Sequence, residues 1–520
     1  MTFRALAAGL LLAAASSGTA VAADLVIGTR FANSALDPHY HNNIDNASLL
    51  AQIYESLVRV DRDLRLQPLL ADSWSSIDDL TWEFKLRKGV TFSDGSSFDA
   101  EDVIYTIKRI AEYKGSPGPF TGRTGSIKEV VAVDPHTIRV TTVRPTPLLP
   151  RDLSEVMIVS KAGKDLAPVD FNTGKAAIGT GAYVLDKWTS GQTLSLKRRD
   201  GYTGAWGPAP WTTVAYKTIK ADPSRVAALL AGDVDLVDYV PEKDLETIKR
   251  AAKFKIYQKP AARSNFINLD TFRDQAPHIF DHAGKPLPTN PLKDLRVRQA
   301  LSVAIDRQLI VDKVLGGAGT AASQMFPNGF AGVSDKVPVL KQDIAQAKKL
   351  LAEAGYPNGF RVNLFGTLNR YSGDADTLQV VRQFWAQIGV LATVEALPSN
   401  VYFQRADAFE FSVFYAGGSG DHALVPASTV LHTPDRARGF GTQNRGRYSN
   451  PAFDAALEKA LTIADEEVRN KVGADAVAMV MADVPVIPLY HSALIFATGP
   501  KVGSYDASPL ERTMALLARP

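Results

Sequence analysis

The sequence predicts a mixed α/β fold divided into more than one domain. Segments with strand periodicity alternate with segments of helical periodicity, beginning with the strand pattern of Thr81–Leu86 and the helical pattern that follows Asp99. The chain is 520 residues long, which is more than one hydrophobic core usually supports. We therefore expect two or three domains.

The stretch LRKGVTFSDGSSFDAEDV at 86–103 has the polar composition of an active-site loop, but a structural explanation fits it better. It follows the alternating segment Thr81–Leu86, and Val90–Phe92 repeats the alternation of a half-buried strand. Asp99 then stands where the N-cap of a helix is expected. The apolar stripe of that helix would consist of Val103, Ile107 and Ile110. The stretch is therefore interpreted as scaffold.

Further elements continue the alternation to the end of the chain. Helices are predicted where apolar residues recur at helical spacing between capping and breaking residues, at 294–316, 343–353, 377–388, 451–464 and 466–481. Strands are predicted at 362–365, 390–396, 411–415 and 484–490.

The first 23 residues have the features of a cleavable signal peptide. Arg4 supplies a positive charge, Ala5–Ala15 an apolar run, and Ala20–Ala22 a small-residue cleavage pattern. The run is shorter than the ~20 apolar residues of a membrane-spanning helix. We expect export to a Gram-negative periplasm without a lipid anchor, because the chain has no cysteine to carry one.

Composition excludes several functions. Without cysteine the chain forms no disulfide, no thiolate metal site and no cysteine nucleophile. The 58 basic and 55 acidic residues are interspersed and give a net charge of only +3. Nucleic-acid binding is not expected, because it requires a clustered positive surface.

Two glycine-rich motifs suggest sites that their context does not favour. Gly317–Ala322 matches the dinucleotide pattern G-x-G-x-x-A, but it follows a predicted helix where a strand is required. Gly417–His422 places Ser419, Asp421 and His422 side by side. Asp421 occupies the second glycine position of a nucleophile elbow, and adjacent residues do not form a catalytic triad.

The sequence His39-Tyr40-His41 offers two imidazoles to a metal ion. Side chains at i and i+2 face the same way on a strand, but no further histidine cluster accompanies them. A polar loop is the favoured interpretation, and a wall of a ligand pocket is a third one. No metal or other cofactor is therefore predicted.

Several long segments resemble the peptide/nickel class of solute-binding proteins of ABC transporters, the dipeptide- and oligopeptide-binding group. They occur in the family's order and span nearly the whole chain after residue 23. The segments are LADSWSSIDDLTWEFKLRKGVTFSDGSSFDAEDVIYTIKRI at 70–110, GTGAYVLDKWTSGQTLSLKRRDGYTG at 179–204, PLKDLRVRQALSVAIDRQLIVDKVLGGAGTAA at 291–322, QAKKLLAEAGYPNGF at 346–360, YSNPAFDAALEKA at 448–460 and VPVIPLYHSA at 484–493.

The resemblance implies a two-lobed periplasmic-binding-protein clamp, of the large type with an extra subdomain in the first lobe. A ligand would lie between the lobes, with a hinge at the chain crossings near Arg263–Asp270 and Leu489–His491. The implied division is a discontinuous first lobe at 24–57, 176–265 and 490–520, an inserted subdomain at 58–175, and a second lobe at 266–489.

The resemblance also implies ligand-binding residues. Peptide-binding members use an arginine for the ligand's carboxylate, and Arg370 matches it, since it follows the predicted strand at 362–365. They use an acid for the free amine, and Asp421 is the only acid near the end of the strand at 411–415. The further wall candidates are Phe31, His39, Tyr40, His41, Asn265, Phe266 and Tyr415.

The function implied is capture of a small peptide or peptide-like solute by a monomer that delivers it to a membrane-embedded ABC permease. Such a protein needs no catalytic residue. Three alternatives stay open. One is a non-peptide guest such as an opine, a glycan or a chelated metal. The second is a secreted serine hydrolase using Ser419 and a distant histidine such as His491. The third is a chaperone-like binder of unfolded segments.

Overall fold

A computed structural model of the protein describes residues 24–32, 34–368, 370–435 and 438–520. The signal peptide expected at 1–23 lies outside these residues. No helix in the described ranges is long and apolar enough to cross a membrane.

The strands are grouped into one large sheet and three smaller ones. In chain order they are β1 (Leu25–Thr29), β2 (Val58–Val60), β3 (Leu66–Pro68), β4 (Ala71–Ser76), β5 (Thr81–Leu86), β6 (Ile127–Asp134), β7 (Thr137–Thr142), β8 (Tyr183–Thr189), β9 (Thr193–Arg198), β10 (Thr213–Thr218), β11 (Leu236–Val237), β12 (Lys255–Leu269), β13 (Ile279–Phe280), β14 (Gly319–Ala321), β15 (Arg361–Leu368), β16 (Leu391–Pro398), β17 (Val413–Ser419), β18 (Val486–Thr498), β19 (Ser504–Tyr505) and β20 (Ala518–Arg519).

The helices lie between these strands along the whole chain. In chain order they are α1 (Ile44–Leu50), α2 (Ala100–Glu112), α3 (Thr121–Thr124), α4 (Leu149–Leu153), α5 (Pro168–Asn172), α6 (Asp222–Ala231), α7 (Leu245–Arg250), α8 (Leu295–Val303), α9 (Arg307–Lys313), α10 (Ile344–Glu353), α11 (Asp374–Ala386), α12 (Ser399–Asp407), α13 (Leu424–Pro426), α14 (Pro451–Ala460) and α15 (Glu466–Ala482).

One twelve-stranded sheet runs through both lobes. Its order is β13-β15-β17-β12-β18-β11-β1-β10-β9-β8, with β14 paired to β18 and β16 paired to β15. The two long central strands, β12 and β18, are antiparallel to each other and belong to both lobes. The lobes are therefore joined by a shared ladder of hydrogen bonds.

The register of β12 and β18 is interrupted in the middle of that ladder. Shifts occur between Pro260 and Ser264 and between Asn265 and Phe266. Bulges of this kind bend a strand and increase its twist. The irregular region overlaps the crossings expected from the sequence, and its role as a hinge stays a prediction.

Each lobe contributes parallel strands to the sheet. In the first lobe, β1 is parallel to β10 and to β11. In the second lobe, β15 is parallel to β16 and to β17. Parallel strands place their carboxyl ends on one edge of the sheet, which is where α/β proteins bind ligands.

The inserted segment forms a smaller body with its own antiparallel sheet, β4-β5-β7-β6. Trp82, Phe84 and Leu86 alternate inward from β5 into a separate apolar cluster that also contains Val103 and Ile110 of α2. Asp99 caps α2: its side chain accepts from the backbone N–H of Glu101 at 2.9 Å and completes a capping box with Asp102. The scaffold interpretation of 86–103 is confirmed for these residues.

The larger hydrophobic clusters each consist mainly of residues from one expected unit, whereas two smaller clusters combine residues from different units. The first-lobe cluster combines residues from the start, the middle and the end of the chain, including Leu25, Tyr216 and Leu516. Most buried second-lobe residues pack in three other clusters. Met157 and Phe171 pack with the first lobe, although the expected inserted subdomain extends to residue 175. The division of the chain into domains stays a prediction.

The predicted fold class is confirmed, and two local predictions are corrected. Val90–Phe92 is not a strand, and only Thr91 pairs, in an isolated bridge with Ser97. Three residues between two turns leave no room for a ladder. The helical run 294–316 is two helices, α8 and α9, with Asp306 capping the second through the N–H of Leu309 at 2.9 Å.

Substituting Asp99 with alanine should lower the free energy of unfolding by about 1 kcal/mol, because the helix loses its N-cap. Ligand affinity should not change, since Asp99 lies in the inserted subdomain. Denaturant unfolding and calorimetric titration measure the two quantities. Asp99 also pairs with Lys161, so Lys161→Met is the matched control for the ion pair alone. A loss of affinity with normal stability would contradict the scaffold interpretation.

Candidate functional site

A cavity of about 860 Å³ lies between the two lobes. This volume is within the ~300–1,000 Å³ typical of small-molecule sites. Both lobes and the central strands contribute to its wall. The lining includes Arg30, Phe31, Asp45, Tyr239 and Glu242 from the first lobe, Arg370, Tyr371, Ser372 and Gly417–Ser419 from the second, and Arg263 and Ser492 from the shared strands.

The cavity lies at the carboxyl ends of parallel strands, as the topology predicts. Arg30 directly follows β1, and Tyr239 follows β11 by two residues. Arg370 follows β15, and Ser419 is the last residue of β17. The backbone of each lobe therefore directs the residues after these strands toward the other lobe.

Most charged groups in the wall already have partners. Arg263 pairs with Glu511 at 2.9 Å, and Tyr239 donates its hydroxyl to the same carboxylate at 3.1 Å. Glu242 accepts a hydrogen bond from Ser372 Oγ at 2.6 Å, a contact between the two lobes. Asp222 and Arg445 pair with residues outside the wall, Arg225 and Asp407 respectively.

Three charged side chains of the wall have no such partner in the described part of the chain. The guanidinium of Arg30 lies over the rings of Phe31 and Tyr239, 5.4 and 5.8 Å from their centroids. The guanidinium of Arg370 lies 5.2 Å from the centroid of Tyr371. The half-buried carboxylate of Asp45 accepts no hydrogen bond from the described residues. These groups are free to bind a solute.

Burial raises the pKa of Asp45 to about 6, and the carboxylates of Asp238 and Glu511 raise it further in the same direction. Arg30 and Arg370 act in the opposite direction and favour the ionised form. Asp45 lines the same cavity as both unpartnered guanidiniums, and their charges favour its carboxylate form. A cation would relieve the repulsion that Asp45 receives from the other carboxylates.

The ring of Tyr371 makes cation–π contacts with two guanidiniums of the cavity wall. Its ring lies 5.2 Å from the guanidinium of Arg370 and 5.8 Å from that of Arg263. Its hydroxyl donates to the carbonyl of Gly417 at 3.2 Å. A Cβ added to Gly417 would lie 2.6 Å from the Tyr371 ring. Glycine at this position therefore permits the close approach of Tyr371 to β17.

Arg225 holds the first-lobe wall in place. Its side chain is 1% exposed and donates to the carbonyls of Asp238 and Tyr239 at 2.9 and 2.8 Å. A third bond goes to the carbonyl of Ile219 at 2.9 Å. Tyr239 has a φ of 48°, a conformation that a bulky residue adopts only when its surroundings enforce it. The two hydrogen bonds from Arg225 to the carbonyls of Asp238 and Tyr239 help to hold this conformation.

Three predicted wall residues lie behind the cavity surface. Tyr415 is fully buried, and its hydroxyl bonds Asn265 at 2.9 Å and the hydroxyl of Tyr490 at 2.7 Å. Asn265 in turn donates to Ser492 Oγ at 2.8 Å. Phe266 packs in a second-lobe apolar cluster. Asn265 and Tyr415 therefore connect the two central strands below the cavity and do not line it.

The residues His39, Tyr40 and His41 are also outside the cavity wall. Burial lowers the pKa of His39 to about 4. Its Nε2 contacts the Met157 carbonyl at 2.8 Å, and its Nδ1 contacts Arg109 at 2.6 Å. Tyr40 accepts a hydrogen bond from Ser116 through its backbone carbonyl, and His41 Nδ1 contacts the side chain of Asn43. Within the described ranges no group of three His, Cys, Asp or Glu residues could hold a metal ion.

Asp421 lies at the contact between the second lobe and the inserted subdomain. Its side chain is buried beside Arg151 and Arg123, and burial raises its pKa. Its backbone carbonyl accepts from Arg151 at 3.0 Å, and its Oδ2 has no hydrogen-bond partner in the described chain. The cavity wall does not include it. Of the ligand-binding residues expected from the sequence, Arg370 and Phe31 line the cavity and the others do not.

Ser419 and His491, the candidate hydrolase pair, are not hydrogen-bonded to each other in the described chain. Ser419 pairs with Arg263 in the sheet, whereas His491 pairs with Ser264. The Nδ1 of His491 contacts Ser264 Oγ at 2.8 Å, and burial lowers its pKa to about 3. A histidine this weakly basic and fully enclosed is a poor general base.

Residues 65–438 match the family described as bacterial extracellular solute-binding proteins, family 5 Middle. The chain belongs to this family. Among similar proteins, the glutathione-binding protein GsiB of Pectobacterium atrosepticum is 27% identical over 97% of this chain and 95% of its own. The family consists of solute-binding proteins, and the cavity between the two lobes is the candidate solute site.

Solved structures of similar fold have the same two-lobed architecture. HbpA2 from Haemophilus parasuis has a TM-score of 0.82 and 24% identity, covering 95% of this chain and 99% of its own. DppA from Helicobacter pylori, solved with the peptide STSA, has a TM-score of 0.72 and 23% identity, covering 95% and 97%. At these identities the likeness establishes the fold.

Sequence reasoning missed Arg30, Asp45, Tyr239, Arg263 and Glu511. They are spread between residues 30 and 511 and form no sequence motif. One signal was available for Arg30 and Tyr239, because each lies at or near the carboxyl end of a parallel strand. Asp45 and Glu511 lie in a short helix and a loop, where nothing in the local sequence indicates a site.

Proposed function

We propose that this family 5 protein captures a small peptide or peptide-like solute with carboxylate groups and delivers it to an ABC permease. The observation that carries the proposal is the pair of unpartnered guanidiniums, Arg30 and Arg370, on opposite lobes of one cavity. Guanidinium groups bind carboxylates through paired, charge-assisted hydrogen bonds. A solute that engages both lobes stabilises the closed state by its differential affinity.

The relatives support a peptide guest over the other family alternatives. GsiB is named for binding glutathione, a peptide with two carboxylates, and the Helicobacter pylori structure holds a peptide. An opine, a glycan and a chelated metal are less favoured by these relatives. We propose glutathione-like peptides as the first solutes to test.

The remaining features of the proposal follow from the family and the sequence. The protein would be exported to the periplasm after removal of residues 1–23, without a lipid anchor, and would work as a monomer. It would catalyse no reaction. Residues 24–57, 176–265 and 490–520 would move as one lobe against 266–489. The interrupted register of β12 and β18 would provide the bend.

Calorimetric titration against a peptide panel tests the proposal. The panel contains glutathione, neutral dipeptides and tripeptides, and a peptide amide without a free carboxylate. We expect stoichiometric binding of a carboxylate-bearing peptide and no binding of the amide. Binding of none of the peptides, or hydrolysis of a bound one, would contradict the proposed function.

A further inference from the structure

The wall of the cavity contains four carboxylates, and three of them are already held. Glu511 is bound by Arg263 and Tyr239, Glu242 by Ser372, and Asp222 by Arg225. Asp45 is the fourth, and no described residue donates a hydrogen bond to its side chain. The cavity therefore offers one uncommitted anion.

The surroundings of Asp45 make this anion a receptor for a positive group. Asp238 and Glu511 lie close enough to repel its charge, and Arg30 and Arg370 lie close enough to attract it. Both guanidiniums are themselves without acceptors in the described chain. A positive group at Asp45 and negative groups at the arginines would satisfy all three at once.

We propose that Asp45 binds the ammonium group of the solute, so that the cavity selects peptides with a free amine beside their carboxylates. This inference rests on the proposed function and adds a residue and a charge pattern to it. The pattern is one ammonium and two carboxylates. Glutathione has this pattern, whereas a neutral dipeptide has one carboxylate too few.

The selectivity follows from the cost of leaving a partly buried charge unpaired. A solute that lacks the amine leaves Asp45 repelled by its neighbours and removed from water. A solute that lacks the second carboxylate can leave the half-buried guanidinium of Arg30 without an acceptor. A site built for a polar group discriminates strongly against analogues that lack it.

Asp421, the acid expected from the sequence, is not available for this role in the structure. Its carboxylate is buried next to Arg123 and Arg151, outside the cavity wall. Asp45 and Asp421 are thus the two candidates for binding the ammonium group, and comparing a ligand that has a free amine with one whose amine is blocked distinguishes them.

The experiment compares glutathione with N-acetylglutathione on the wild-type protein and on the variants Asp45→Asn and Asp421→Asn. We expect Asp45→Asn to weaken glutathione binding roughly 10- to 100-fold, the range for one charge-assisted bond. It should change the affinity for N-acetylglutathione less than about threefold, because the acetylated amine carries no charge. Asp421→Asn should not distinguish the two ligands.

The matched control is Asp376→Asn, which removes the same charge from an exposed position outside the cavity. It should change neither affinity. Equal loss of both ligands in Asp45→Asn, or no loss, would overturn the inference while leaving the proposed function standing. Selective loss of glutathione in Asp421→Asn would also overturn it. A wild-type protein that binds no peptide of the panel overturns both proposals.

A second measurement tests the number of carboxylates. Glutathione in which the glycyl carboxylate is converted to an ethyl ester keeps the amine and loses one anion. The wild-type protein should bind this ester roughly 10-fold or more weakly than glutathione. Equal affinity would overturn the two-carboxylate pattern.

The stability of Asp45→Asn separates binding from folding. Because the pKa of Asp45 is raised to about 6 from 3.8, the folded protein binds a proton there more tightly than the unfolded chain. Its ionised form therefore disfavours folding at neutral pH, and stability from this group increases as pH falls from 6 to 4. The melting temperature of Asp45→Asn should not decrease at pH 7, and a marked decrease would assign Asp45 a structural role.

Discussion

Replacing Arg370 with alanine should weaken the binding of a carboxylate peptide roughly 10- to 100-fold, which corresponds to about 1.5–3 kcal/mol for a charge-assisted hydrogen bond. The guanidinium has no acceptor in the described protein, so its removal leaves no internal group unsatisfied. The melting temperature should therefore be nearly unchanged. Titration with glutathione and thermal unfolding measure the two effects.

The control for Arg370→Ala is Arg382→Ala on α11, an exposed arginine outside the cavity wall. This variant carries the same change in net charge and should bind glutathione normally. If Arg370→Ala binds glutathione with wild-type affinity, Arg370 is not part of the site. If both variants lose affinity equally, the effect is long-range electrostatics, which added salt would screen.

Replacing Arg225 with alanine should have the largest effect on stability, a loss of about 3–5 kcal/mol, as for removal of one partner from a buried ion pair. The substitution leaves the carbonyls of Ile219, Asp238 and Tyr239 without a donor. It also removes the cation 3.5 Å from the buried carboxylate of Asp238. Denaturant unfolding followed by fluorescence measures the loss.

The loss in Arg225→Ala should depend on pH in a defined direction. Burial raises the pKa of Asp238 to about 6, and Arg225 is the main group that opposes this. Without Arg225 the pKa should rise further, so the penalty is greatest at pH 7–8 and decreases as the pH falls below 6. The double variant Arg225→Met with Asp238→Asn should recover part of the stability.

An exposed arginine provides the control for Arg225. Arg250→Ala, at the end of α7, should change the free energy of unfolding by less than about 0.5 kcal/mol. A small effect of Arg225→Ala at every pH would mean that the loop carrying Tyr239 is held by other contacts.

The parts of the fold that depend on local signals were predictable. Asp99 and its helix could be identified because a cap and an apolar stripe lie within one short stretch. The resemblance extended this to the two-lobed architecture, and it led to Arg370 because that residue lies a few positions after a recognisable strand. Local chemistry was sufficient in each of these cases.

The charged wall of the cavity was not predictable in the same way. Whether an acid is free or committed depends on partners far along the chain, as with Glu511 and Arg263. Asp421 follows the strand from which it was predicted, but it is buried outside the cavity wall, where Arg151 donates to its backbone carbonyl. Asp45 could be identified as the wall carboxylate without a hydrogen-bond partner only after the partners of the other three wall carboxylates were known from the structure.

The shared β12–β18 ladder determines how proteolysis or truncation can divide the protein. The halves have no exposed tether between them, since both crossings are buried inside a continuous sheet. A protease acting on the native protein should not release one intact half. A gene truncated near residue 265 would encode a fragment that retains most of β12 and lacks β18, with open strand edges prone to aggregation.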